Sequence, residues 1–291
     1  MGGQLHQGLV SQRGARYYWL MTKPNSAELD KILKTAVQAC DIGQKILQDY
    51  FGRISDINEK ELAGLVSEAD IESEKAITQY LRREYPDFDI LGEEAAFKDP
   101  SQQKKLVKPG RWCIDPLDGT TNYIHQLPIY CVSIGFEWEG ETVAGAIHVP
   151  FLNKVYTARE GGGAFVNGKP MKISQRSTVE KALLATGFSS YDKAALEKQI
   201  KIFSHLVGRA RGIRRAGSAA YDLCLVAEGV FDGYWESRLQ PWDTSAGCLF
   251  VREAGGVVTN YQGGHYRSEM PSLIAGNREI HAEIKRTIEN A

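Results

Sequence analysis

A chain of 291 residues exceeds an average domain of roughly 150 residues and allows two lobes or one large α/β unit. With 43% hydrophobic and 24% charged residues and a net charge of -1, nothing pulls the chain toward nucleic acid or anionic lipid independently of sequence, so a small-molecule partner is expected. No apolar run approaches the roughly 18 to 20 residues of a membrane span, and no signal-peptide core opens the chain, which implies a cytoplasmic protein with no membrane partner.

In chain order, residues 1–22 contain "MGGQLHQGLVSQRGARYYWL", a stretch with no clear period, and they read as an N-terminal extension ahead of a Pro-Asn-Ser helix entry. From Ser26 to Phe51, Leu29, Ile32, Leu33, Ala36, Val37, Ile46, Leu47 and Tyr50 recur at helical spacing. A second helix is expected in "LVSEADIESEKAITQYLRREYP", with Asp70 at its beginning and Pro86 at its end. The segments "FDILGEE", "GRWCID", "YCVSIGFEWEG", "ETVAGAIHVP" and "KVYTAREGGGAFVNGKPMKIS" are β-rich, the last with a hairpin signal at Asn167 and Gly168. A sheet backed by two helices accounts for this half. Beyond about residue 170 strands and helices alternate: "ALLATGF", a helix near Tyr191–Val207, "GIRRAG", a helix over Ser218–Glu228, "FDGYWE", a helix after Asp243 and a final helix after Asn277. This predicts an α+β lobe over 23–169 and an α/β lobe over 170–291, with a ligand cleft between them. Five cysteines (Cys40, Cys113, Cys131, Cys224 and Cys248) lie far apart with no Cys-x-x-Cys pair, and they read as buried thiols rather than a disulfide framework or zinc site.

Five acidic residues stand at element ends: Asp70, Glu93 in "LGEE", Asp115 and Asp118 in "DPLDGT", and Asp243 in "PWDTSAG". Any one alone reads as a helix cap or a solvated charge. Together they fall where α/β folds place ligand groups, and converging carboxylates need cations between them. An all-oxygen ligand set suits Mg²⁺ or Mn²⁺. Pro116 turns the chain so that the Leu117 carbonyl can face the cation held by Asp115, and Gly119 lets a ligand approach the backbone. Thr120 and Thr121 open a helical turn whose free N–H groups suit a phosphate. Metal ligands beside a phosphate cradle are what metal-assisted hydrolysis of a phosphate ester requires.

"LDGT" also resembles the aspartyl-phosphate phosphatases of the haloacid dehalogenase type, but the position of their nucleophile is Pro116 here. A covalent aspartyl-phosphate route is therefore disfavoured. No Gly-x-x-x-x-Gly-Lys-Ser/Thr loop indicates a nucleotide-binding P-loop.

"GEE", "WCIDPLDGTTNYIHQLPIYCVSIGF", "GSAAYDLCLVAEGVFDGYWE" and "PWDTSAGCLFVREAGG" resemble the inositol monophosphatase family in order and spacing, over nearly the whole chain from about Ser26. The resemblance implies a layered α-β-α-β-α sandwich, Mg²⁺ dependence, lithium inhibition and a homodimer. It assigns Glu93, Asp115 and the Leu117 carbonyl to a first metal site, Asp115, Asp118 and Asp243 to a second, and a third, looser ion to Glu93 and waters. Asp70, Thr120 and Glu93 become the catalytic group, with Ser67 standing where the family usually has threonine. Asp118, Gly119, Thr120 and Asp243 border the phosphate.

On the alcohol side the resemblance places Gly217, Ser218, Ala219 and Glu236, the last accepting hydrogen bonds from inositol hydroxyls; a salt bridge to Arg238 is its alternative. Arg209, Arg211, Arg214 and Arg215 read as a solvated or subunit-facing surface, with a second anionic substrate group as the alternative. His125 reads as a packing or surface residue, and Trp112 and Trp242 as packing beneath the metals. The expected function is Mg²⁺-dependent hydrolysis of inositol monophosphate or a similar small polyol phosphate by direct attack of water. Fructose 1,6-bisphosphate, histidinol phosphate and 3′(2′),5′-bisphosphate nucleotides share the metal core as alternative substrates. A non-catalytic regulatory role on a partner protein is the alternative of a different class.

Overall fold

The computed structural model describes residues 22–53, 57–60, 64–101, 108–189 and 191–291, so the expected N-terminal extension lies outside the described residues except for Thr22. Helix α1 (Ser26–Tyr50) starts at a capping box: the Asn25 side chain accepts from the N–H groups of Ala27 and Glu28, and Glu28 reaches back to the Asn25 N–H at 2.7 Å. The antiparallel pair β1 (Ile57–Lys60) and β2 (Gly64–Ser67) leads into α2 (Glu68–Glu84), which ends before Pro86 as expected. β3 (Asp89–Gly92) is followed by α3 (Glu93–Lys98), a short helix absent from the sequence reading because six residues carry no recognisable period.

β4 (Gly110–Asp118), α4 (Thr120–Ile124), β5 (Cys131–Trp138), β6 (Glu141–Val149), β7 (Lys154–Arg159), β8 (Gly163–Val166) and β9 (Lys169–Pro170) complete the first half. Strands β3 to β9 form one sheet in chain order, with β3 and β4 parallel and every later pair antiparallel. The β8–β9 hairpin turns at Asn167 and Gly168, both at positive φ, as their pairing predicts.

The second half carries β10 (Leu183–Thr186), α5 (Lys193–Val207), β11 (Gly212–Arg214), α6 (Ala219–Ala227), β12 (Gly233–Ser237), α7 (Pro241–Glu253), β13 (Val257–Thr259), β14 (Ser272–Gly276) and α8 (Arg278–Glu289). Its sheet runs β11-β10-β12-β14-β13. The expected alternation holds for β10, β11 and β12, which pair in parallel; β13 and β14 then add an antiparallel edge with no helix between them. The helix expected after Asp243 begins at Pro241, because proline without an N–H is at home in a first helical turn.

Helices α1 and α2 cover one face of the first sheet around a core that includes Ile32, Ala36, Ile77, Trp112 and Phe136. Its other face meets α6 and α7, which lie between the two sheets and share a core including Ile147, Tyr156, Leu223, Phe250 and Ala275. A further core of Leu184, Ile202, Trp235, Ile280 and Ile284 joins the second sheet to α5 and α8. The layers therefore run α-β-α-β-α, and the helix α7 that covers the first sheet comes from the second half of the chain.

That helix sits very close to the strands beneath it. A Cβ built on Gly135 would fall 2.1 Å from Ser245 Oγ and 2.8 Å from its Cβ, and one on Gly145 would fall 2.9 Å from Ala246 Cβ. Glycine at 135 and 145 thus sets the height of α7, and with it the position of Asp243 at its start. Gly135→Ala is expected to cost about 1–3 kcal/mol through overpacking and to lower activity, measured as melting temperature and turnover together; an unchanged melting temperature would show that α7 has slack.

Candidate active site

Strand β4 ends in an irregularity. Asp115 pairs with Ser133 and Asp118 with Cys131, so three steps on β4 match two on β5. Pro116, which has no N–H to give a ladder, sits in the bulge. The Leu117 N–H donates to Asp115 Oδ1 at 3.0 Å, which folds the backbone around that carboxylate. Gly119 follows at φ +100°, and a Cβ there would come within 2.8 Å of the Ile129 carbonyl oxygen, so conformation and space both select glycine. The Thr120 hydroxyl lies 3.1 Å from Asp70 Oδ1 and 3.2 Å from the Leu117 carbonyl oxygen. One proton serves two acceptors there.

Asp70 is fully buried at the third position of α2, where Oδ2 accepts from Ser67 N at 2.9 Å and Ser67 Oγ at 2.5 Å. Ser67 therefore gives that carboxylate both its N–H and its hydroxyl. Glu93 is the first residue of α3, whose next two N–H groups donate to Glu74 at 2.7 Å and 2.9 Å. Glu74 was absent from the sequence reading because it lies on α2, distant in the chain. Gly92 makes room for it: a Cβ would fall 2.6 Å from the Glu74 carboxylate. Asp118 Oδ2 accepts from Ser218 Oγ and from Ala220 N, both at 2.7 Å, at the start of α6. Asp243 Oδ2 accepts from Gln240 N at 2.7 Å at the start of α7. Asn122, last residue of "DPLDGTTN", ties this loop to the 215–217 loop by donating to the carbonyls of Ile129 (2.7 Å) and Ala216 (2.8 Å).

The carboxyls of this site are held up in pKa, first by burial and then by one another. Asp115 lies well above the usual carboxylate range through burial and the proximity of Glu93, Asp118 and Asp243. Asp243 is raised by burial and by Asp118, Glu93 and Glu236. Burial also raises Asp118, against the donors of Ser218, Ala220 and Ala219. Asp70 is pushed up to about 7 by burial, opposed by the Ser67 hydroxyl and reinforced by Glu93 and Glu94. Among the described residues no group of three or more His, Cys, Asp or Glu side chains is placed so that it could hold a metal ion by itself. Mg²⁺ does not need such a cage, since it keeps several waters and takes one or two carboxylates together with substrate phosphate. The all-oxygen donor set and its mutual repulsion fit such an ion.

Beyond Asp118 and Asp243 a cavity of about 180 Å³ opens, lined also by Gly217, Ser218, Ala219, Glu236, Arg215 and Asp222. Glu236 does not pair with Arg238. Arg238 pairs with Asp192, and the Tyr234 hydroxyl donates to Glu236 instead. Burial lifts Glu236 to about 7, opposed by Tyr234 and by Arg215. The basic run divides: Arg209 pairs on the surface with Glu180 and Glu283, as expected, whereas Arg215 lines the cavity. His125 is exposed. Trp242 packs on Phe97 beside Cys113 and Leu91, whereas Trp112 lies deeper, against Tyr85 and Phe136.

Carboxylates that cannot share one cavity as anions without cations, next to a cavity sized for a small ester, define a metal-dependent phosphomonoesterase acting on small phosphorylated substrates. Comparison with known proteins agrees. The model of the inositol monophosphatase family matches residues 28–291. The inositol-1-monophosphatase of Rhizobium meliloti is 36% identical over 260 residues, spanning 89% of this chain and 96% of that protein. The Nus factor SuhB of Pseudomonas aeruginosa is 40% identical over 235 residues, 80% of this chain and 86% of that one. The crystal structure of the extragenic suppressor protein suhB from Bartonella henselae superposes with a TM-score of 0.81 at 36% identity, covering 90% of this chain and 99% of that one. The chain belongs to the inositol monophosphatase family. No described helix is long and apolar enough to cross a membrane.

The raised carboxyls give a pH prediction for metal-free protein. Asp70 and Glu236 titrate near 7 when folded and near 4 when unfolded, so between those values the folded state holds protons that the unfolded state has lost. Their contribution to stability is therefore present below pH about 4 and falls as pH rises toward 7. In EDTA, Asp70→Asn is expected to melt several degrees above wild type at pH 8 and close to it at pH 4.5; a gap that widens toward low pH would contradict the shift.

Proposed function

We propose that this protein hydrolyses a phosphomonoester of inositol or a similar small polyol by direct attack of water. Divalent cations, two or three Mg²⁺ with Mn²⁺ as substitute, would be held by Glu93, Asp115, the Leu117 carbonyl, Asp118 and Asp243, and would supply a more acidic water and neutralise phosphate charge. The observation that carries the reading is the part-buried contact of Thr120 Oγ1 with Asp70 Oδ1 at 3.1 Å. A threonine hydroxyl that donates to Asp70 can accept from water, so Asp70 and Thr120 orient the attacking water and take its proton toward a buried carboxylate. Glu93 faces the same pair from α3. The N–H groups of Gly119 and Thr120 hold the phosphate, and the Asp118 and Asp243 carboxylates border the ester oxygen.

Glu236 supports a hydroxylated leaving group, because a carboxylate held by Tyr234 on one oxygen accepts from a substrate hydroxyl on the other. The charge balance at this end disfavours a second phosphate. Arg238 is spent on Asp192, and Arg215 alone faces both Asp222 and Glu236. Inositol monophosphate therefore ranks ahead of fructose 1,6-bisphosphate, histidinol phosphate and 3′(2′),5′-bisphosphate nucleotides. We carry over the family's lithium inhibition, homodimer and cytoplasmic setting with this reading. A purely regulatory role on a partner protein has no use for the carboxylate set, and the chain retains all of it.

Phosphate release from inositol 1-phosphate is expected with Mg²⁺ and not with EDTA; equal or zero release in both refutes the reading. Asp115→Asn is expected to lower kcat on the order of a thousandfold with no loss of melting temperature in EDTA, since it removes one charge from a repelling set. Near-normal turnover in that variant would refute the ligand assignment.

A further inference from the structure

One carboxyl in the cavity is used by none of the roles above. Asp222 lies on α6, is 1% exposed, and its Oδ1 is buried with no hydrogen-bond partner among the described residues. A buried carboxyl without a donor is unfavourable, and one that stays in a fold calls for a partner. Capping its own helix is not that partner's role, because Asp118 already takes the Ser218 hydroxyl and the Ala220 N–H at the start of α6. Asp222 instead lines the cavity next to Glu236. Arg215 faces both carboxyls, and its Nη1 lies where a Cβ on Gly217 would fall, 2.7 Å away, so the guanidinium is seated against the Gly217 backbone.

We propose that Asp222 is a specificity-determining residue: with Glu236 it forms a pair of acceptors that reads two hydroxyls on the alcohol body of the substrate, with Arg215 as their shared counter-charge. The ligand class is a phosphomonoester whose alcohol carries several free hydroxyls on the side facing α6 and β12. A second phosphate or carboxylate in that place would meet the two carboxyls beside Arg215, while Arg238, which also lines the cavity, is engaged by Asp192. The assignment rests on the reading of this site as a polyol phosphate phosphatase.

Hydrolysis of inositol 1-phosphate and of phenyl phosphate, an ester without free hydroxyls, separates the two levels. In Asp222→Ala the ratio of kcat/KM for inositol 1-phosphate over phenyl phosphate is expected to fall about tenfold, chiefly through KM. Asp222→Asn, whose amide oxygen still accepts, should recover part of that ratio and also serves if the alanine variant does not fold. A structural residue would lower both activities alike and depress the melting temperature; that result, or an unchanged ratio, overturns the assignment while leaving the polyol reading intact. A wild-type enzyme with no preference for inositol 1-phosphate would overturn both.

Discussion

Repulsion among carboxylates, Asp70 and Asp115 buried and Glu93, Asp118 and Asp243 half-buried, is the constraint on which the site depends. Asp115, Asp118, Asp243 and Asp70 are all held above the ordinary carboxylate range, and for Asp115, Asp243 and Asp70 other carboxylates of the site, Glu93 among them, add to burial as a cause. Such a set is unfavourable as free anions in a low-dielectric cavity and becomes favourable once cations are shared among its members. On the proposed metal-ligand reading, folding and metal binding are linked, since the same electrostatics that weakens the metal-free state would favour divalent ions at the site.

The fold moderates this repulsion before any ion arrives by placing helix starts at the carboxylates. Asp70 is the third residue of α2, Glu93 the first of α3 and Asp243 the third of α7, while Asp118 accepts from the start of α6. Each helix start presents free N–H groups and the positive end of its dipole, worth a few tenths to about 1 kcal/mol apiece near the surface. Those helices belong to different layers, which is why the catalytic group needs the whole sandwich. Gly135 and Gly145 hold α7 against the first sheet, and Asn122 ties the β4 loop to the loop before α6. Displacing any layer would change the spacing of charges on which the set depends.

Legibility in the sequence followed how local each feature is. The "DPLDGTTN" stretch was legible because the backbone that joins Asp115, Leu117, Asp118 and Gly119 also arranges them, and the bulge at Pro116 is written into the residues themselves. Helices α1 and α2 were visible through their apolar period. Glu74 was not, since its task of holding the start of α3 joins residues about twenty positions apart. Nor was the covering of the first sheet by α7, because hydrophobic period tells that a helix buries a face and not which sheet receives it. β13 and β14 escaped because strands this short, set between glycines and polar residues, carry little alternation.

The basic run from Arg209 to Arg215 shows how far composition can mislead at a binding site. As a cluster it suggested a solvated surface, and Arg209 does pair there with Glu180 and Glu283. Arg215, a few residues on, turns inward because Gly217 leaves space for its guanidinium and because Asp222 and Glu236 lie opposite. Two arginines line the cavity, but Arg238 is paired with Asp192, so Arg215 is left to face Asp222 and Glu236, whereas a site for a second phosphate would need an excess of cations. The proposed selectivity thus draws on residues from three separate elements, the loop before α6, α6 itself and β12. On the proposed reading a metal core common to enzymes with different substrates sets the reaction, and the charges at the opposite wall select the alcohol.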